Sequence, residues 1–449
     1  MITTLMELTI DKMVYGGEAL ARLPADEHGK GKAVFLPFAL PGERVHAHLT
    51  EQRPGFARAE LDSVVSASPH RIEPRCPYFV RCGGCHYQHA AYEHQLQIKS
   101  DILRETLRRT AKIDWTGEIR AHSASPWGYR NRTRMRLRAA PEFAAGYYRL
   151  GTHDLLPVEQ CPISSPLINR ALEAVWELGR AGQVPVQLVE IEFFADAADT
   201  RMLVAFFATQ PPVKETAEAF AADLRKKMPE IAGVLFFEQR GGNRDQGQVR
   251  SPADDLDSAA GERPFAAAGD KVLTYETAKA KYRVSGGSFF QTNRFLTDKL
   301  VELVTEGRSG GKALDLYAGV GLFATALAAT FDKVTAVESA PSSLSDLQCN
   351  GPANVSPVQD RTELFLKNSP GLKADLVVID PPRAGLGDAA AQVLAQVRTP
   401  RITYVSCNPA TLARDLRVLA AAGWRIDELN FIDLFPQTYH LESVVQLLK

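Results

Sequence analysis

Apolar and polar residues alternate with different rhythms along the chain, and each rhythm predicts its own architecture. In residues 1–66 the apolar positions come in short runs: Glu7–Ile10, Lys32–Leu36, Arg44–Leu49 and Phe56–Leu61. Gly16-Gly17, His28-Gly29 and Pro41-Gly42 punctuate them. Short strands between such turns predict a small β-barrel, OB-like in kind, and five-stranded barrels often bind oligonucleotides; a barrel with no ligand is the equal alternative. Residues 67–284 read as a central α/β domain. Tyr92 to Arg109 has no helix breaker. Val189–Phe194 and Met202–Phe207 predict a hairpin around a polar turn, Val213 to Met228 a helix, and Gly233–Phe237 a strand. Residues 240–270 are polar and rich in Gly, Asp and Ala, as in an exposed linker. Residues 285–449 alternate strands with helices, which predicts a doubly wound, Rossmann-like parallel sheet.

Composition adds bounds to this picture. A chain of 449 residues is too long for one ordinary core, so several domains are expected. With 45% hydrophobic and 23% charged residues it has the balance of a globular protein. No run of about 18 uncharged apolar residues occurs, so no membrane span is expected. Met1 to Glu7 lacks a basic segment followed by an apolar one, which predicts a cytoplasmic protein. A single chain is the expected working unit. The net charge of −1 means that any basic surface must be local.

The candidate chemistry lies mainly in the last stretch. Ala313–Tyr317 is a short apolar strand, followed by Ala318-Gly319-Val320-Gly321 and a helix from Leu322. A Gly-x-Gly turn there lets the backbone approach a ligand closely. The next strand, Lys333–Val337, ends in Glu338, placed to accept both ribose hydroxyls of a nucleoside. Ala324 occupies the third slot of a loose dinucleotide pattern, so loop spacing alone admits NAD. The strand Ala374–Ile379 runs into Asp380-Pro381-Pro382-Arg383. Two prolines stiffen that loop at the sheet's carboxyl edge, where ligands bind. Tyrosine after the prolines would suggest adenine amino-group methylation; Arg383 argues against it. The plain alternative for Asp380 is a helix N-cap.

Strand Ile402–Val405 leads into Ser406-Cys407-Asn408-Pro409, and Pro409 opens a helix. Cys407 is therefore expected at the sheet edge, where a helix dipole favours a thiolate; an inert thiol is the alternative. Such a thiolate suits methylation at C5 of a uracil. That carbon is a poor nucleophile until a thiolate adds to C6, and a base must then remove the C5 proton. Thr438–Val445 predicts a strand that carries Glu442 within apolar neighbours, where desolvation raises a carboxyl pKa. His440, two residues earlier on the same face, is the rival, and Glu442 is favoured. Cytosine-C5 enzymes of RNA typically carry a second cysteine; none accompanies Cys407, and Cys349 reads as core.

Two further patterns stand upstream. Cys76, Cys82, Gly83-Gly84-Cys85 and the distant Cys161 are suited to wrap one metal centre, either iron–sulfur or zinc, with no metal as the remaining reading. Arg130, Arg132, Arg134, Arg136 and Arg138 alternate strictly and would share one face of a strand. RNA phosphate is the favoured partner for that face. Salt bridges to acids on a neighbouring element are the alternative.

Taken together these residues resemble the bacterial RNA uracil-C5 methyltransferases, most closely the 23S rRNA branch with an iron–sulfur cluster, over nearly the whole chain. The resemblance implies a TRAM domain at 1–66, a central domain at 67–284 with a 4Fe–4S cluster on Cys76, Cys82, Cys85 and Cys161, and a methyltransferase domain at 285–449. It implies S-adenosylmethionine as cofactor, with Gln291 of Phe289-Phe290-Gln291-Thr292-Asn293, Tyr317, Glu338 and Asp380 contacting it. It gives Cys407 the role of nucleophile, Glu442 that of base, and makes rRNA the expected partner. A tRNA uridine enzyme, a cytosine-C5 enzyme and a non-catalytic RNA-binding factor are the other readings. Ala318 and Leu322 depart from the usual cofactor-loop residues, and Leu322 is left out of the expected site for that reason.

Overall fold

The computed structural model describes residues 5–24, 31–239 and 263–449. The His28-Gly29 turn and most of the expected 240–270 linker lie outside them. Strands Leu5–Met13, Glu18–Arg22, Ala33–Pro37, Arg44–Gln52 and Phe56–Ser66 close into a barrel. Alternation places Leu8, Ile10, Val34, Leu36, Val45, Ala47, Ala57 and Ala59 inside. Closure leaves the barrel no open sheet edge. The strand Glu18–Arg22, which directly follows the double-glycine turn, is one that the pattern of the sequence did not announce.

A seven-stranded sheet forms the middle of the molecule, in the order Ala266–Gly269, Ile231–Glu238, Met202–Ala208, Leu188–Ala195, Arg132–Arg138, Ala144–Tyr148, Leu155–Pro157. The expected hairpin is there, with Leu188–Ala195 antiparallel to Met202–Ala208. Helices Pro166–Arg180 and Lys214–Lys227 cover one face, where Leu172, Val175, Phe220 and Leu224 pack with Phe193 and Phe206. The alternate residues Phe194, Phe207 and Phe237 point the other way, into a core shared with the C-terminal sheet.

That second face also settles the arginine pattern, and against the RNA reading. The strand begins at Arg132 rather than at Tyr129. Its partner strand sets Glu192 opposite Arg134 and Glu190 opposite Arg136. Arg132, Arg134 and Arg136 turn inward on these acids, whereas Arg130 lies at the cysteine cavity and Arg138 is exposed and donates to the Glu142 carbonyl. Arg132 donates to Glu192 at 2.6 and 3.1 Å, while Glu190 receives both Arg134 and Arg136. The Arg132 and Arg134 side chains are 2% and 3% exposed, too little to meet phosphate. Arg134 also lies over the Phe207 ring, 3.7 Å from its centroid. Removing one partner of such a pair leaves the other charged and buried, so Arg132→Ala is expected to destabilise the protein by about 3–5 kcal/mol. Unfolding melts check this. The salt dependence of RNA binding should stay unchanged, whereas loss of a phosphate contact would make it shallower.

The C-terminal sheet has eight strands, in the order Val355–Gln359, Phe331–Glu338, Gly310–Leu316, Leu376–Ile379, Arg401–Ser406, Glu442–Leu448, Arg425–Ile432, Ile119–His122. The first five are parallel. Glu442–Leu448 runs antiparallel between two neighbours. The strand order turns back beside Gly310–Leu316, and such a switch point opens a crevice at the carboxyl ends of the strands. Ile119–His122 adds the last strand from the middle of the chain. Helix Tyr92–Thr106 and the wider turn Leu107–Ala111 also send Leu103 and Leu107 into this core, against Leu416 and Trp424. A clean division at residue 284 therefore cuts through one folded layer. Among the described residues no helix is long and apolar enough to cross a membrane.

Candidate active site

A cavity of about 340 Å3 of atom-free space opens at the crevice, lined among others by Phe289, Gln291, Tyr317, Gly319, Leu322 and Asp380. Its floor is the turn after Gly310–Leu316, where Tyr317, Gly319 and Gly321 all take positive φ. A Cβ on Gly321 would stand 2.6 Å from a methyl carbon of Leu347, so only glycine lets the turn close this tightly. Glu338 braces the same turn, accepting from the Gly319 amide at 2.9 Å and the Ala340 amide at 2.6 Å. A carboxylate has about four acceptor positions, so room is left for ribose hydroxyls. The Tyr317 hydroxyl donates to Glu363 at 2.7 Å. Asp315, fully buried behind the turn, accepts from the Ala324 amide at 2.8 Å. Burial, with Asp380 and Glu338 nearby, pushes its carboxyl up to about 8. Leu322 lines the cavity although its side chain offers no polar contact.

Beyond Asp380 the antiparallel ladder ends with Ser406 opposite Ser443, and the residues next to that pair, Cys407 and Glu442, lie close enough to act on each other electrostatically. Asn408 caps the following helix, Pro409–Ala421, by accepting from the Ala410 and Thr411 amides. Those amides are thereby occupied, which weakens the help that the helix end offers to a thiolate. Burial first, then Glu442 and Asp380, hold the Cys407 thiol well above its usual range, while Arg383 opposes them. The expected thiolate-favouring position is thus not what the empty pocket provides. Burial and Asp380 likewise push Glu442 well above the carboxylate range, with Arg383 pulling the other way. Burial pushes Asp380 up to about 7. Asp380 is no helix cap: helix Gly387–Gln396 begins later, after Leu386.

His440 departs from expectation. The strand starts at Glu442, so His440 sits in the preceding loop and does not share a strand face with it. Its ring packs on Tyr439, with centroids 4.2 Å apart. Burial and the surrounding cations Arg383, His86, Arg130 and Lys99 drive its pKa well down, leaving a weak base. Cys349, expected in the core, is exposed on helix Pro341–Asn350.

The loop leading to Glu442 is held by distant parts of the chain. Lys99 donates to Asp433 at 2.6 Å and to the Phe435 carbonyl at 2.9 Å, with both charged side chains fully buried. Tyr129 donates to the Pro436 carbonyl at 3.0 Å, and Asn293 to that of Leu434 at 3.1 Å. Gln437, at φ +69°, exchanges hydrogen bonds with Gln95. Its carbonyl accepts from the His86 and Tyr87 amides at 2.8 and 3.0 Å. Asn293 ends the Phe289–Asn293 segment; the other holding residues carry no motif, and only the register of the folded chain reveals them.

Directly before His86 come three of the four clustered cysteines. Cys76, Cys82, Cys85 and Cys161 line one cavity of about 470 Å3 of atom-free space, together with Arg130. The Gly84 amide lies 3.4 Å from the Cys82 sulfur. Burial, then the neighbouring thiols, push Cys82 up to about 12 and Cys85 well above its usual value. Four shielded sulfurs with an amide and a guanidinium beside them make a donor set that a buried iron–sulfur cluster fits. Among the described residues no group of three or more His, Cys, Asp or Glu side chains is arranged to hold a single metal ion.

Comparison with known proteins adds to this geometry. Residues 268–359 and 368–449 match the profile of the tRNA (uracil-5-)-methyltransferase family, and residues 2–61 match that of the TRAM domain. An RNA methyltransferase of Aquifex aeolicus strain VF5, described as uncharacterized, is 33% identical over 98% of this chain and 98% of its own length. One from Listeria monocytogenes strain EGD-e, described likewise, is 29% identical over 98% of this chain and 96% of its own. The fold is similar to that of a Pyrococcus abyssi tRNA (uracil-54, C5)-methyltransferase crystallised with S-adenosyl-L-homocysteine. The TM-score is 0.74 at 22% identity, over 99% of this chain and 100% of the other.

Proposed function

Because the chain belongs to the tRNA (uracil-5-)-methyltransferase family, we propose that it methylates C5 of a uridine in 23S rRNA, with Cys407 as nucleophile and Glu442 as base. The observation that carries this reading is that Cys407 and Glu442 flank the last pair of the ladder, Ser406 and Ser443, at the sheet edge, with Asp380 near both and lining the cavity that Gln291 and Tyr317 also line. S-adenosylmethionine, held by Gln291, Tyr317, Glu338 and Asp380, supplies the methyl group. The Pyrococcus neighbour, crystallised with the demethylated form of that cofactor, supports its use here.

Cys407 gives up its proton to solvent water and adds to C6 of the uracil, forming an S–C6 bond and placing the C5=C6 electron pair on the C5–C4–O4 enolate system. C5 uses that pair to take the methyl group, and the sulfonium S–CH3 bond breaks to leave S-adenosylhomocysteine. Glu442 then removes the C5 proton, the C5=C6 bond re-forms, and the C6–S bond breaks to release the thiolate. Burial and the Asp380 charge raise the Glu442 carboxyl, which makes its carboxylate a stronger base than one in water. Arg383, the cation opposing the acids around Cys407, favours the thiolate when the pocket fills.

The cysteine cavity is assigned a 4Fe–4S cluster on Cys76, Cys82, Cys85 and Cys161. Four thiols lining one space, with the Gly84 amide beside a sulfur, are the support for a cluster. Protein purified without oxygen should carry about four irons per chain, and Cys85→Ser should lose them together with the visible absorbance. Stoichiometric zinc without iron would contradict the assignment.

Mapping of 5-methyluridine in a deletion strain tests the target. Loss of one or more sites in 23S rRNA, restored by the wild-type gene, is the expected result. Loss confined to tRNA would move the substrate to tRNA and leave the chemistry intact.

A further inference from the structure

The turn between the first two barrel strands, Val14-Tyr15-Gly16-Gly17, exposes Gly16 but buries Gly17 against another part of the molecule. Gly17 lies against the His86 ring, where a Cβ would stand 2.9 Å from a ring carbon. With φ at +89°, this glycine allows both the turn and the close approach. Tyr15 is thereby carried onto the loop that precedes Glu442. Its ring meets Tyr439 edge-on, with centroids 5.4 Å apart, and Tyr439 in turn packs on His86 and His440. The Tyr15 hydroxyl finds no hydrogen-bond partner among the described residues.

Resting on the uridine-C5 reading, we propose that Tyr15 is a substrate-positioning residue of the methyl-transfer site, whose hydroxyl donates a hydrogen bond to an exocyclic carbonyl of the target pyrimidine. The barrel then does more than tether RNA: it closes one wall of the pocket in which the base reacts. The electrostatic surroundings of the hydroxyl agree. Burial, then Tyr439, Cys407 and Glu442, hold its pKa well up, with Arg383 opposing, so the phenol keeps its proton and remains a donor. Tyr15 is half-buried, so its hydroxyl is free to donate, and the base brought against the loop before Glu442 would be the acceptor. A base flipped out of its stack must present its C5–C6 edge to Cys407 and Glu442, so contacts that fix its orientation bear on the rate of reaction.

The test compares full-length wild type, Tyr15→Phe and Tyr15→Ala on bulk RNA from a deletion strain, with labelled S-adenosylmethionine. Tyr15→Phe removes only the hydroxyl. It should lower kcat roughly tenfold, the worth of one hydrogen bond, while the KM for RNA, cofactor affinity and melting temperature stay near wild type. Tyr15→Ala should fall at least as far. Wild-type kcat in Tyr15→Phe would overturn the proposal, and a defect confined to Tyr15→Ala would do the same by assigning the residue to packing alone. A loss in KM for RNA with kcat preserved would make Tyr15 a tethering contact and would also overturn it. Wild-type protein that makes no 5-methyluridine would sink the uridine reading itself.

Discussion

Glu442→Gln should form the covalent RNA adduct and fail to release it. The amide has nearly the same shape, so the buried pocket should survive, but it cannot accept the C5 proton. Methylated RNA then remains attached through the C6–S bond. Turnover should fall by about 10²–10⁴-fold, the usual contribution of a positioned base. The adduct should appear as slow-migrating protein on a denaturing gel with ordinary, unmodified RNA. His440 is a poor substitute, because burial and the cations around it keep its pKa well down. Free turnover by Glu442→Gln would place the base elsewhere.

Cys407→Ala is expected to remove activity more completely, by on the order of 10⁴-fold or more, since no first bond to C6 can form. Cys407 is half-buried and its pocket already disfavours the thiolate. Replacing a small thiol by alanine there leaves the fold close to unchanged. Cofactor binding by calorimetry and RNA binding by filter retention should stay within about twofold of wild type, well inside the spread of ordinary surface changes. Measurable single-turnover methylation by this variant would show that C5 is activated by some other route.

How far the site was legible in the sequence depended on how local its signals are. The strand–turn–helix at Ala313–Leu322, the acid at Glu338 and the strand ends at Asp380 and Cys407 follow from short-range pattern, and the folded chain places them at one sheet edge. The nearness of Cys407 to Glu442 follows from antiparallel register, which neither segment reveals alone. The arginine alternation was visible, and so was its answer: Glu190 and Glu192 alternate in the neighbouring predicted strand. Weighing the two strands together would have favoured ion pairs over phosphate. His440 was misplaced because alternation continued two residues past the true strand start. Strand Ile119–His122 escaped notice because its partner is more than 300 residues away. Lys99, Gln95 and Tyr15 belong to no motif; their contacts with residues 433–439 arise from chain closure over the whole molecule.

The cysteine cavity and the catalytic loop also share backbone contacts. The His86 and Tyr87 amides, immediately after Cys85, hold the Gln437 carbonyl five residues before Glu442. Ordering of the cysteine loop and placement of the base are therefore mechanically linked. The central sheet supports both, since its second face packs into the same core as the cofactor turn.

The most direct measurement is trapping with RNA that contains 5-fluorouridine. Fluorine cannot leave as a proton, so wild-type protein with S-adenosylmethionine should become covalently joined to the RNA, one strand per chain, through a peptide containing Cys407. Absence of the adduct, or an equal yield from Cys407→Ala, would contradict a mechanism in which this thiol attacks the uracil ring.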